Sequence, residues 1–63
     1  MSDLFEPTLV EMLAEVEREI ALRRRVYPRW VSQGKMKQHQ ADRKIATMQT
    51  LIMFLRRQID TAA

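Results

Sequence analysis

Sixty-three residues make at most one domain. A domain this small buries only about 60% of the surface that its unfolded chain exposes. Such chains lean on disulfides, a metal or self-association. The chain has no cysteine and one histidine, His39, which excludes a disulfide framework, a thiolate zinc site and a His-rich metal site within one chain. The absence of cysteine fits a reducing compartment. No stretch approaches the roughly 20 apolar residues of a membrane span, the longest apolar run being Leu51–Leu55. The N-terminus lacks the basic and apolar regions of a signal peptide. The expectation is a soluble, cytoplasmic protein with no membrane contact.

The net charge of +3 is unevenly placed. Residues 1–22 hold Asp3, Glu6, Glu11, Glu15, Glu17 and Glu19 against Arg18, a net −5. Residues 23–44 hold Arg23, Arg24, Arg25, Arg29, Lys35, Lys37, Arg43 and Lys44 against Asp42, a net +7. Such asymmetry speaks to partners rather than to fold.

The first helix signal covers about residues 8–26. Thr8 with Glu11 three residues on matches a capping box, and Pro7 suits a helix start. Leu9, Leu13, Val16 and Ile20 follow at spacings of 4, 3 and 4, one face of a helix. Glu19 and Arg23 stand in the favourable order for an i,i+4 pair. Arg23, Arg24 and Arg25 are expected in the last turn, where cations complement the helix dipole. Tyr27-Pro28 is expected to end the helix, because proline disfavours helical backbone in the residue before it. The joint, residues 27–36, contains Gly34, the only glycine, expected in a backbone conformation that other residues resist.

The second helix is expected over about residues 37–60. Ala41, Ile45, Met48, Ile52, Leu55 and Ile59 recur at spacings of 4, 3, 4, 3 and 4, close to three heptads of unbroken seam. Leu51 and Phe54 widen it. The pattern predicts an all-α fold, an antiparallel two-helix hairpin. One hairpin leaves Val10, Leu22, Leu51 and Phe54 under-used, so a dimeric helical bundle or higher oligomer is expected, with Met48, Leu51, Ile52, Phe54, Leu55 and Ile59 at the interface. One long kinked helix paired with a symmetry mate is the alternative.

The run Arg24-Arg25-Val26-Tyr27-Pro28-Arg29-Trp30-Val31, followed by Gly34-Lys35-Met36 and by Ala41, Ile45 and Met48, resembles a family of short proteins encoded by bacteriophages and prophages of proteobacteria. The likeness covers roughly residues 15–55. It implies a context, a phage accessory protein acting by stoichiometric binding, and transfers no functional residues. Family members place Ser or another capping residue after the Gly-Lys-Met equivalent. Lys37 stands there in this chain, which leaves the start of the second helix open.

No catalytic triad, glycine-rich phosphate loop or other catalytic arrangement is visible, and a non-catalytic protein without cofactor is expected. Glu11, Glu15 and Glu19 stand four apart and resemble half of a bundle metal site, but the Glu-x-x-His partner is missing, so a solvated acidic face is the plainer reading. The informative feature is the basic, aromatic joint: Arg23, Arg24, Arg25, Tyr27, Arg29, Trp30 and Lys35. Arginine forks suit phosphates and carboxylates, and aromatic faces suit bases. The plainer reading makes Tyr27 and Trp30 a cap on the core and the arginines solubilising groups. The partners expected are a second copy of the chain and a host or phage protein; the alternative is nucleic acid or a nucleotide at the joint. Far-UV circular dichroism should show a helical spectrum with no β-component, and substantial β-structure would defeat the whole reading.

Overall fold

A computed structural model describes residues 6–62, all helix and connecting turns, with no strand among them. Asp3, counted in the acidic block above, lies outside the described residues. Two helices, α1 (Leu9–Ser32) and α2 (Gln38–Ala62), run in opposite directions and pack against each other. The hairpin measures 48 × 23 × 13 Å. Its smallest dimension is about one helix diameter, so it is a single layer of two helices, with no other described residues covering either broad face.

Thr8 starts α1 as expected. Its Oγ1 accepts from the Glu11 N–H at 3.1 Å and donates to the Glu11 carboxylate at 3.2 Å. The seam of the hairpin is the periodic set read from the sequence. Ile20, Tyr27, Ala41 and Leu55 are buried, and Leu13, Val16, Ile45, Met48, Ile52 and Ile59 are half-buried beside them. Glu17 and Arg56 tie the two helices across one edge at 2.9 Å. Thr47, Thr50 and Thr61 sit inside α2 with their hydroxyls donating to the carbonyls of Arg43, Ala46 and Arg57, four residues back.

The expected end of the first helix at Val26 is corrected. The helix runs through Tyr27 and Pro28 to Ser32. Pro28 leaves the Arg24 carbonyl without its i+4 donor, and an interior proline costs roughly 3 kcal/mol. Against that, Tyr27 is only 8% exposed and Val31 is half-buried. Full burial of a large apolar side chain contributes roughly 1.5–3 kcal/mol, Val31 gains a part of that, and both residues fall on the seam only if the helix continues. Tyr27 follows Ile20 by two turns, and Val31 follows Tyr27 by four residues, so the 3/4 spacing passes through the proline. Packing wins over local propensity.

The helix stops instead at Gly34, whose φ of 74° is left-handed. The Gly34 N–H donates to the Val31 carbonyl at 3.1 Å and the Lys35 N–H to the Trp30 carbonyl at 2.9 Å, the two bonds of a Schellman cap. Lys37 occupies the N-cap position of α2. It has no side-chain acceptor, and half a capping box compensates: its N–H donates to Gln40 Oε1 at 3.0 Å.

Two substitutions test this account. Pro28→Ala gives the Arg24 carbonyl a donor and should raise unfolding free energy by about 1–2 kcal/mol after the looser unfolded chain is counted; a destabilised variant in urea titration would contradict it. Gly34→Ala should cost about 1 kcal/mol, wholly from backbone conformation, since an added Cβ meets nothing within 4 Å.

Candidate functional site

Consecutive helical residues point about 100° apart, so Arg23, Arg24 and Arg25 face different directions, and with α1 running on to Ser32 they lie about two turns before its end. Arg23 lies in a groove on one broad face with His39, Gln40, Arg43, Lys44 and Thr47. Arg24 lines the opposite face with Glu17, Ala21, Gln49, Met53 and Arg56. Arg25 points away from α2, beside Arg18, Ala21 and Leu22. The expected placement of Arg23, Arg24 and Arg25 in the last turn of α1 is therefore corrected. They are mid-helix residues, and the cation in the last turn of α1 is Arg29. Arg29 and Lys35 are exposed at the hinge. Tyr27 is buried in the seam, and Trp30 lies partly over it, ring centroids 5.9 Å apart and planes at 33°.

What the fold gathers is a different set. Arg23, His39, Arg43 and Lys44, drawn from both helices, line an open groove of roughly 590 Å³ near the hinge. Arg23 Nε donates to Glu19 at 2.9 Å. Arg18 pairs with Glu15 at 3.2 Å. With Arg56–Glu17, these are the ion pairs among the described residues. Arg24, Arg25, Arg29, Lys35, Lys37, Arg43 and Lys44 consequently stand in the hinge half with no carboxylate within ion-pair distance among those residues. Arg43, Lys44 and His39 were outside the expected site; the signal that finds them is their place on one flank of α2, at 39/40, 43/44 and 47, facing Arg23.

The groove's face also carries apolar side chains. Leu22, Val26 and Trp30 lie along it on α1. On α2, Leu51 and Phe54 follow Thr47 by four and seven residues, on the same flank. Met12 precedes Glu19 by seven residues on the α1 flank. Met12, Leu22, Trp30, Leu51 and Phe54 are all substantially exposed, Phe54 at 52%. The other exposed large apolar residues, Val10 and Met53, fall on the Arg24 face or its edge. Of the expected interface set, Leu55 is buried and Met48, Ile52 and Ile59 are half-buried in the hairpin's own seam, leaving Leu51 and Phe54 outward. This side is called the tryptophan face below.

Among the described residues no group of three or more His, Cys, Asp or Glu is placed to hold an ion. No helix among the described residues is long and apolar enough to cross a membrane. No family model, curated protein or solved structure matches the chain.

Trp30 is 40% exposed. Trp30→Ala should therefore cost about 1–2 kcal/mol, mostly the stacking on Tyr27 and a partial burial, below the 3–5 kcal/mol of a buried aromatic. A loss above 3 kcal/mol in chemical denaturation would make it a core residue instead.

Proposed function

We propose that this chain is a non-catalytic accessory protein that acts by stoichiometric binding, as a homo-oligomer of hairpins, to an acidic surface of a host or phage macromolecule. The observation that carries this is the set of seven cations in the hinge half that have no carboxylate partner among the described residues, set on open surface. The grooves of the hairpin are open to solvent, and a large ligand meets such a surface more readily than a small substrate is enclosed by it. Clustered charge steers and orients an oppositely charged partner. The phage context rests on the resemblance of the Arg-Arg-Val-Tyr-Pro-Arg-Trp-Val run alone.

A second reading, a phosphate ligand such as nucleic acid or a nucleotide, is favoured by one observation: Arg23, His39, Arg43 and Lys44 share a groove. Salt separates the two. Phosphate contacts release counterions, so nucleic-acid binding falls steeply and log-linearly with salt.

Arg25 and Lys35 are exposed, so reversing both charges should leave helicity and melting nearly unchanged while abolishing capture of the partner from host lysate at moderate salt. Undiminished capture by the Arg25→Glu/Lys35→Glu chain would refute the cationic reading. Capture only of nucleic acid, lost on raising salt from 50 to 200 mM, would transfer the function to the second reading.

A further inference from the structure

We propose that a second copy of this chain covers the tryptophan face, turned end for end so that the hinge of one hairpin lies over the tip of the other, the tip being the end where α1 begins and α2 finishes. The proposal gives the oligomer of the preceding reading one face and one orientation, and it rests on that reading.

Each helix carries a second 3/4 row beside the one already buried. On α1 it is Met12, Glu15, Glu19, Leu22, Val26 and then Arg29 or Trp30; on α2 it is Gln40, Lys44, Thr47, Leu51, Phe54 and Gln58. The apolar members of these rows, Met12, Leu22, Val26 and Trp30 on α1 and Leu51 and Phe54 on α2, add a second apolar surface beside the seam, which suits a bundle of more than two helices. The face spans 48 by 23 Å, which leaves room for the roughly 800 Å² per partner of a stable interface. The chain also exposes 5406 Å², against about 4,250 Å² expected for a compact monomer of its mass.

Charge selects the occupant and its direction. The Glu17–Arg56 bridge sets the level of the two helices. Counting from it, Leu22 lies level with Leu51, and Arg29 with Lys44. Glu15 lies seven residues to one side of Leu22 and Arg29 seven to the other, about 10.5 Å each way. A two-fold axis crossing the helices at the Leu22–Leu51 level therefore sets each Glu15 level with the partner's Arg29 and Lys44, and sets Leu22 and Leu51 on their own copies. The same surface then meets itself, as an isologous dimer requires. Every neighbouring pair of helices is antiparallel, including α1 on its copy. The other two-fold stacking, hinge over hinge, sets Arg29 of one copy level with Lys44 of the next and is opposed by like charge.

Sedimentation velocity over a concentration series reads the outcome. The wild-type chain should be a dimer at micromolar concentration. Glu15→Lys and Arg29→Glu/Lys44→Glu should each dimerise about tenfold more weakly, since each contact occurs twice in the dimer, with unchanged far-UV dichroism. Mixed in equal amounts, the two variants should recover wild-type association as a heterodimer, because both charge contacts are restored. Phe54→Asp should yield a folded monomer. A wild-type chain that stays monomeric overturns both this proposal and the homo-oligomeric part of the preceding reading. A wild-type dimer whose charge variants fail to rescue each other overturns the orientation alone. A dimer indifferent to Phe54→Asp overturns the face. A monomer that needs Phe54 to hold a different protein gives the face to that protein and overturns the proposal too.

Discussion

The hairpin depends on one seam, the apolar row from Leu13 through Ile20 and Tyr27 on α1 set against the row from Ala41 to Ile59 on α2. Neither helix has another element to bury against, and an isolated amphipathic helix of this length is marginal in water. The seam also explains why α1 tolerates a proline four residues before its end. Tyr27 and Val31 are the last seam residues of α1. Giving them up would shorten the contact by more than a turn, a larger loss than one backbone hydrogen bond. Ala41, near the hinge end of α2, is buried.

The seam of α2 was legible to the residue, because no proline or glycine interrupts a 3/4 repeat over three heptads. The start of α1 was legible for a local reason: Thr8 and Glu11 satisfy each other within one turn. The far end of α1 was misread because two rules conflicted there. The local rule, that a residue before proline avoids helix, points to a stop at Tyr27, whereas the longer rule, that Ile20, Tyr27 and Val31 keep the seam spacing, carries the helix on. That one boundary decided the site. With a joint at residues 27–36 Arg23, Arg24 and Arg25 sit in the last turn beside the bend; with helix through Ser32 they lie about two turns inside α1, and in either case they point about 100° apart. The groove of Arg23, His39, Arg43 and Lys44 was hidden for a further reason. It joins residues from two helices, and only the register of the hairpin brings them to one face.

The electrostatics of the hinge run against what the fold alone would choose. Arg29 near the C-terminus of α1 complements that helix's dipole. The same end of the molecule holds the N-terminus of α2, where negative charge and a capping oxygen are favourable. The first turn of α2 contains no acidic residue, its N-cap position is Lys37, and Lys35 stands two residues before it. A serine or aspartate at position 37 would contribute about 1 kcal/mol, a large fraction of the stability that a chain of this size can hold. Gln40 recovers part of it by accepting from the Lys37 N–H. Positive charge is thus kept at this end against the interest of α2, in a chain whose opposite end is acidic. Departures of this kind concentrate where a protein meets something else. Under the proposed function, the cations of the hinge half would meet a negatively charged surface outside the hairpin, whether the Glu15 end of a second copy or the acidic face of another macromolecule.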